Sequence, residues 1–295
     1  MTLSNPGRRL REAVAQSAIV VPGVPSALVG KLAERQGFDA VYLSGAALSA
    51  SMLALPDIGL LTLTELAQQA AHLCRAVEIP VIVDADTGFG GAVHVERTIV
   101  ELERAGVAGI QIEDQVFPKR CGHLAGKSLI DPEAMCAKLR AADKARVDSD
   151  LVLIARTDAR GVTNFDDALD RAKRYLDAGA DWIFPEALAN RGEFERFADE
   201  IDAPLVANMT EFGKSPLLSL TELADLGYAV ALFPVTLLRV AMKAMEAALG
   251  VLAEDGTQTE LLDLMQTRAE LYELLDYDAL NRGAEDEDVA NGDEP

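Results

Sequence analysis

The chain has 295 residues, a length that suits either two average domains or one large α/β barrel with an extension. Hydrophobic residues make up 49% and charged residues 25% of it, which allows a large core and excludes a wholly disordered chain. The 27 basic and 48 acidic side chains give a formal net charge of -21, which disfavours nucleic acid and anionic membrane surfaces as partners because both carry negative charge.

Short β-branched apolar runs alternate with longer amphipathic stretches along the chain. The runs predict eight strands, over residues 18–24, 40–45, 80–86, 109–114, 151–158, 182–187, 204–209 and 228–235. Helical patterns lie between them, over 62–77, 92–106, 131–146, 164–179 and 219–227, and several open on a capping residue and close on glycine. Continuous apolar strands joined by helices are typical of a parallel sheet that is covered on both faces.

Eight successive strand–helix units favour a closed (β/α)8 TIM-type barrel over an open, doubly wound sheet. Nucleotide binding has little support, because no G-x-G-x-x-G follows the first strand and the GKS of residues 126–128 lacks the first glycine of a P-loop. Two further helices, predicted over 236–256 and 261–277, exceed what one barrel needs. We therefore expect a single barrel with C-terminal helices over residues 1–280 and an acidic, disordered tail over 281–295.

Nothing in the sequence marks export or membrane anchoring, because no stretch approaches 18 consecutive apolar residues. Cys74, Cys121 and Cys136 are too few for a disulfide framework and fit a reducing compartment, so we expect a cytoplasmic protein. Cys74 and Cys136 lie in helical patterns and are expected to pack as small apolar residues. The basic residues are 8 Lys and 19 Arg, and an acidic, lysine-poor surface of the kind found in halophiles leads us to hypothesise a salt-rich cytoplasm.

The predicted strands end in polar or small residues. These include Tyr42, Ser44, Gly45, Asp84, Asp86, Glu113, Asp114, Arg156, Asp158, Glu186, Asn208 and Thr210. In a barrel, all such ends meet on the face where active sites are built. Solvent exposure would explain one or two of them, but it does not readily explain six strands in succession. The sequence therefore predicts a polar site at this face.

Asp84 and Asp86 lie two residues apart on one predicted strand, so their side chains point to the same side. Two inward carboxylates repel each other unless a cation lies between them. Oxygen ligands without histidine suit Mg²⁺, with Mn²⁺ as a substitute. The alternative is that the pair serves as a helix cap or forms an ion pair with an arginine.

The segment KRCGH, residues 119–123, follows the fourth predicted strand. Its Lys119, Arg120 and His123 would surround Cys121 with positive charge and favour the thiolate. Such a thiol can serve as a nucleophile, an acid/base group or a redox sensor. In a loop rich in glycine and charge, Cys121 is therefore a candidate for chemistry.

Longer motifs connect these residues. They are SGAALSAS, LPDIG, VDADTGFG, IEDQVFPKRCGH, ARTDA, FPEA, NMTEFG and MQTRAELYE, in this order between residues 8 and 277. Together they resemble the isocitrate lyase/phosphoenolpyruvate mutase superfamily, and most closely its 2-methylisocitrate lyases. KRCGH in the IEDQ context is the most specific of these motifs, and DADTGFG is next.

The resemblance implies a (β/α)8 barrel whose last helix is exchanged with a neighbouring subunit in a dimer of dimers, a homotetramer. It implies a Mg²⁺-dependent carbon–carbon lyase that cleaves a small carboxylate substrate, 2-methylisocitrate, to pyruvate and succinate in the 2-methylcitrate cycle of propionate catabolism. The metal would be held by Asp84 and Asp86, with Asp57 and Glu113 acting through its water ligands.

The resemblance also implies roles for individual residues. Cys121 would protonate the succinate carbanion and His123 would tune the thiol, while Tyr42 is the candidate base for the substrate hydroxyl. The residues expected to bind the substrate are Ser44, Gly45, Ala46, Lys119, Gly122, Arg156, Glu186, Asn208, Thr210, Arg239 and Arg268.

Two departures leave the substrate open: Ala46 stands where the lyases usually carry glycine, and LAGK follows KRCGH where some carry Arg-Pro-Asn-Lys. The alternatives are a lyase for isocitrate or 2,3-dimethylmalate and an oxaloacetate decarboxylase-like enzyme. Outside enzymes, the alternatives are a non-catalytic metal-binding barrel and a thiol redox protein. The last normally has a resolving cysteine, which the sequence near Cys121 lacks.

Overall fold

The structure is a computed structural model that describes residues 5–278 and residue 281. The chain divides into two compact units, residues 1–239 and residues 240–295. The predicted acidic tail over 281–295 lies outside the described residues, apart from residue 281.

From residue 5 onwards, the first unit contains eight parallel strands. They are β1 Ile19–Pro22, β2 Val41–Leu43, β3 Val81–Asp84, β4 Gly109–Glu113, β5 Val152–Thr157, β6 Trp182–Pro185, β7 Val206–Asn208 and β8 Val230–Phe233. Strands β2 to β6 pair in chain order, and β8 pairs with both β1 and β7. Single bridges, Gly23 with Tyr42 and Ile183 with Leu205, join the two sets. The strands therefore close into a barrel, and the predicted (β/α)8 architecture is confirmed.

Helices connect the strands. They are α1 Pro6–Gln16, α2 Ala27–Arg35, α3 Gly45–Leu53, α4 Leu63–Ala76, α5 Ala92–Ala105, α6 Pro132–Ala145, α7 Ala159–Val162, α8 Phe165–Asp177, α9 Arg191–Glu200, α10 Leu220–Asp225 and α11 Thr236–Asp255. Thr62, Asn164 and Ser219 cap three of them, since each side chain accepts the backbone N–H three residues later. Within the described residues, no helix combines the length and the apolar character needed to cross a membrane.

The second unit contains most of α11, a 3₁₀ helix over Thr259–Leu264 and α12 Arg268–Leu274. The prediction of one continuous helix over 261–277 is wrong, because residues 265–267 separate the last two elements. Thr267 has extended backbone and caps α12, and Glu270 completes a capping box with it. A cap of this kind starts a new helix and ends any continuation of the preceding one.

Side chains of the strands alternate between the barrel interior and the layer of helices. Ile82 and Ile154 belong to one buried cluster, and Val83 belongs to another that includes the helices. Because the period along a strand is two, Asp84 and Arg156 continue the inward rows of Ile82 and Ile154 at the carboxyl ends. The strands therefore carry polar groups at their last inward positions, above an apolar interior.

Candidate active site

Two aspartates lie at the carboxyl end of β3. Asp84 accepts hydrogen bonds of 3.2 Å from the backbone N–H of Gly45, the backbone N–H of Asp86 and Gln111 Nε2. Asp86 Oδ1 lies 2.8 Å from Lys119 Nζ. A β-carbon on Gly45 would lie 3.3 Å from both Asp84 Oδ2 and Asp86 Oδ1. The two carboxylates therefore converge on the start of α3.

The carboxylates here fit a hard divalent cation. Glu113 Oε1 is buried and accepts no hydrogen bond from the described residues, and the equally buried Asp86 Oδ1 has only the ion pair with Lys119. Burial raises the pKa of Asp86 to about 6, against the opposing effect of Lys119, and burial also raises the pKa of Glu113 well above its usual value. Buried carboxylate oxygens of this kind are stabilised by a nearby cation.

The number of direct protein ligands is small. Among the described residues, no three or more His, Cys, Asp or Glu side chains lie close enough to share a metal ion. Mg²⁺ commonly keeps several water molecules and binds only one or two carboxylates. The pair of Asp84 and Asp86 therefore matches a magnesium site of the water-rich kind.

Lys119 compensates part of this negative charge. Its Nζ forms ion pairs with Asp57 and Asp86, and its side chain is 4% exposed. Although burial alone would lower it, the carboxylates of Asp86 and Glu113 raise the pKa of Lys119 well above its usual value. Lys119 was expected to bind substrate and to favour the Cys121 thiolate. In the structure, its ammonium group forms ion pairs with Asp57 and Asp86.

Arg156 is the centre of a second charged cluster. Its Nε lies 3.3 Å from Glu113 Oε2, 3.0 Å from Asp158 Oδ2 and 3.6 Å from Glu186 Oε2. Although burial opposes it, Arg156 lowers the pKa of Glu186 to about 2, so this carboxyl is ionised at neutral pH. Asn208 Nδ2 also donates to Glu186, at 3.2 Å. Arg156, expected to clamp a substrate carboxylate, is held by three protein carboxylates.

His123 connects two loops at Glu186. Its Nε2 lies 2.6 Å from Glu186 Oε1, and its Nδ1 accepts the backbone N–H of Lys214 at 2.8 Å. Because Nδ1 accepts, the neutral ring carries its proton on Nε2 and directs it at Glu186. Both ring nitrogens are therefore used, which leaves neither for a direct hydrogen bond to the Cys121 thiol. Any influence of His123 on the thiol has to pass through the loop.

Cys121 is half-buried in the loop between β4 and α6, directly before Gly122. A β-carbon on Gly122 would lie 2.4 Å from Arg156 Nη2 and 2.6 Å from Glu186 Cδ. Only glycine fits at this position, because a β-carbon does not come within 3.0 Å of another heavy atom in real proteins. The backbone of the thiol-bearing loop therefore packs directly on the Arg156 cluster.

We expect Gly122→Ala to lower kcat by roughly 100-fold, the effect of displacing reacting groups by about 1 Å. The added methyl group would push the loop away from Arg156 and Glu186. Steady-state kinetics and thermal denaturation measure the effect. The control is Gly192→Ala in the exposed first turn of α9, where a β-carbon meets only Asn190 Oδ1 at 3.3 Å. Wild-type kcat in Gly122→Ala would contradict this tight packing.

Tyr42 belongs to a hydrogen-bonded chain that reaches the aspartates. Its hydroxyl donates to Gln111 Oε1, and Gln111 Nε2 donates to Asp84. Burial, with a further contribution from Asp84, raises the pKa of Tyr42 well above its usual value. The hydroxyl is therefore linked to Asp84 through Gln111, and the expected role of Tyr42 as the base stays a prediction.

The remaining residues expected to bind substrate lie at the carboxyl ends of β2 and β7 or on helices α11 and α12. Ser44 caps α3 and accepts the backbone N–H of Ala47 at 3.3 Å, and Ala46 is in the first turn of that helix. The backbone N–H of Thr210 donates to Asn208 Oδ1 at 3.1 Å.

Two arginines expected to bind the substrate differ in their surroundings. Arg239 Nε lies 3.4 Å from Glu211 Oε2, and its guanidinium lies over the ring of Phe212. The side chain of Arg239 is 49% exposed, so it is less fixed than Arg156. Arg268 is the first residue of α12 and belongs to the second unit.

Comparison with known proteins decides the family. The family model described as phosphoenolpyruvate phosphomutase matches residues 10–253. The chain belongs to this family. One relative is the 2-methylisocitrate lyase of Aeropyrum pernix, which is 55% identical over 276 residues, covering 93% of this chain and 89% of the relative. The expected resemblance to the isocitrate lyase/phosphoenolpyruvate mutase superfamily is therefore confirmed.

Solved structures of family members agree with the barrel. A 2,3-dimethylmalate lyase, described as a PEP mutase/isocitrate lyase superfamily member, has a TM-score of 0.89 at 37% identity and covers 94% of each chain. A phosphonopyruvate hydrolase in complex with oxalate and Mg²⁺ has a TM-score of 0.85 at 30% identity, covering 94% of this chain and 97% of that one. The family is a family of enzymes, so the charged mouth of the barrel is its candidate active site.

Proposed function

We propose that the protein is a carbon–carbon lyase that cleaves 2-methylisocitrate to pyruvate and succinate, as a step of propionate catabolism. The observation that carries the proposal is that one barrel mouth combines the Asp84–Asp86 pair with the loop of Cys121, in a chain 55% identical to a 2-methylisocitrate lyase. The carboxylates would bind the metal ion and the thiol would donate the proton, and the cleavage needs both a Lewis acid and a proton donor.

The cofactor of the proposed reaction is Mg²⁺, with Mn²⁺ as a substitute. Asp84 and Asp86 would hold it, and Asp57 and Glu113 would contact its water ligands. When bound, the cation supplies a Lewis acid for the substrate hydroxyl and carboxylate and stabilises negative charge at the pyruvate end. The buried carboxylates of Asp86 and Glu113 support this assignment, since Glu113 Oε1 accepts no hydrogen bond from the described residues, and so does the Mg²⁺ in the phosphonopyruvate hydrolase structure.

The proposed proton donor is the Cys121 thiol. It would give its proton to the carbon of the succinate product when the carbon–carbon bond breaks, while Tyr42, as the candidate base, would take the proton of the substrate hydroxyl that becomes the pyruvate carbonyl. In the reverse reaction, Cys121 would remove the proton that it gave. Gly122 would offer its backbone N–H to the substrate at the same point. His123 would act indirectly, because it joins this loop to Glu186 and to the loop of Lys214.

The remaining site residues would bind and orient the substrate. Ser44, Gly45 and Ala46 lie at the start of α3, where backbone N–H groups and the helix dipole favour a carboxylate. Carboxylate and hydroxyl groups of the substrate would be bound by Lys119, Arg156, Glu186, Asn208, Thr210, Arg239 and Arg268.

A panel of four acids tests the proposal. With purified protein and Mg²⁺, we expect kcat/KM to be highest for 2-methylisocitrate, with pyruvate and succinate identified by NMR. Isocitrate, 2,3-dimethylmalate and oxaloacetate are the comparisons, because one methyl group changes discrimination by only about 1 to 3 kcal/mol. The solved 2,3-dimethylmalate lyase makes that acid the main alternative. Preference for another acid would assign that substrate, and cleavage of none would overturn the proposal.

We also propose that the protein is a cytoplasmic dimer of dimers that exchanges its last barrel helix between subunits. The second unit supports this assembly, because Val240, Met245 and Leu249 of α11 are exposed apolar side chains. The three cysteines are free, as a reducing compartment allows. Light scattering of the purified protein tests the assembly, since a mass of one chain would contradict it.

A further inference from the structure

Lys127 belongs to the same loop as Cys121, yet its side chain is only 1% exposed. Its Nζ donates to Asp158 Oδ1 at 2.6 Å and also to the backbone carbonyl of Gly122. A buried ion pair of this kind contributes little to stability by itself, because burial removes both charges from water. Its best-attested use is to fix a particular geometry.

Asp158 is a rigid reference point for Lys127. It follows β5 directly, and its backbone N–H donates to Asp114 Oδ1 at 2.9 Å. Its carboxylate also accepts from Arg156 Nε at 3.0 Å and Nη2 at 3.2 Å. Asp114 is itself held by the Tyr175 hydroxyl at 2.8 Å. Asp158 therefore has little freedom to move relative to the barrel wall.

Gly122 is fixed from two sides. Its α-carbon packs on Arg156 and Glu186 so closely that no side chain fits there. Its carbonyl oxygen accepts the hydrogen bond from Lys127. Because Cys121 directly precedes Gly122, fixing Gly122 on both sides limits where the thiol can lie.

We propose that Lys127 and Asp158 form a clasp, the buried ion pair that holds the Gly122 carbonyl, and that the clasp sets the position of the Cys121 thiol. Neither residue contacts the reacting atoms, so both are positioning residues. The kinetic consequence rests on the proposed function, whereas the effect on the thiol itself does not depend on any substrate.

The test compares Lys127→Met with Lys138→Met. Lys138 on α6 is a matched control, because both lysines are 8% exposed when the whole residue is counted and Lys138 Nζ donates to the carbonyl of Thr87 in a different loop, at 2.8 Å. We expect iodoacetamide to alkylate Cys121 about tenfold faster in Lys127→Met than in the wild type, since the released loop opens more often. The rate in Lys138→Met should equal that of the wild type. Mass spectrometry of the tryptic peptide measures the rates.

The kinetic readout separates positioning from general destabilisation. In Lys127→Met, we expect kcat to fall by roughly 100-fold with a much smaller change in KM, because the thiol is displaced while the other substrate-binding groups remain. Lys127→Arg keeps the positive charge and should recover part of kcat. Thermal denaturation of each variant verifies that it is folded.

If Lys127→Met does not fold, the double variant Lys127→Met with Asp158→Asn replaces it, since it removes the buried negative charge that Lys127 no longer balances. A wild-type rate of alkylation in the folded variant would overturn the clasp, whatever happens to kcat. If alkylation accelerates but the wild type cleaves none of the four acids, the proposed function fails and the clasp stands.

Discussion

Replacing Cys121 with serine should remove most of the cleavage of 2-methylisocitrate. We expect kcat to fall by about 10³-fold, within the range that a positioned acid or base contributes. A serine hydroxyl has nearly the same shape as a thiol, but it is a far weaker acid and cannot supply the proton that the product carbanion needs. The backbone of Gly122 and the clasp hold the loop, so the melting temperature should stay near that of the wild type. Pyruvate release and circular dichroism measure the two quantities.

Cys74→Ser is the matched control for this substitution. Cys74 is a half-buried residue of α4, and burial raises the pKa of its thiol to about 12. Such a thiol is neutral and takes no part in chemistry at pH 7, so we expect kcat to be unchanged. Wild-type turnover in Cys121→Ser would remove the acid role from Cys121, and a similar loss in both variants would indicate a structural effect.

The placement of the candidate site followed from two simple regularities. Alternation along a strand puts Asp84 two positions after Ile82, and barrel closure brings the end of β3 beside those of β4 and β5. In that register, Asp84 pairs with Gln111, and Glu113 pairs with Arg156. Sequence periodicity and topology were therefore sufficient to predict that these groups meet at one face.

The partners of the charged groups could not be predicted in the same way. Lys119 pairs with Asp57, which is 62 residues away, and Arg156 pairs with protein carboxylates where a substrate ligand was expected. Which charged groups pair depends on the conformation of the loops that carry them and on which buried charges lie nearby. The periodicity of the sequence gives no information on either.

Three features of the structure have a signal in the sequence that lies outside the strand ends and the helical periodicity. Gln111 is a polar residue in the middle of the apolar strand β4. The polar residues at the end of that strand, Glu113 and Asp114, were predicted to be in the site, but Gln111 was not. Lys127 is part of the GKS that fails as a P-loop, and only the folded loop shows that it is buried. Thr267 and Glu270 form a capping box, whose T-x-x-E pattern marks a helix start inside the predicted long helix.

Asp86→Asn should weaken Mg²⁺ binding by at least about 100-fold, the upper end of what even an outer-shell substitution costs. The change removes the charge from a buried carboxylate whose Oδ1 lies close to the Asp84 carboxylate at the start of α3. Asparagine also tolerates the left-handed backbone of this residue, whose φ is 48°, whereas alanine would add strain. Titration with Mn²⁺, followed by electron paramagnetic resonance, measures the affinity without any substrate.

The kinetic counterpart of this prediction is a loss of the Mg²⁺-dependent part of kcat/KM in Asp86→Asn. Asp202→Asn, an exposed aspartate between α9 and β7, should behave as the wild type in both assays. Wild-type Mn²⁺ affinity in Asp86→Asn, or wild-type activity that survives a chelator, would remove Asp86 from the metal site. Lost activity with retained Mn²⁺ binding would instead trace the effect to Lys119, because the substitution also takes away the carboxylate 2.8 Å from its Nζ.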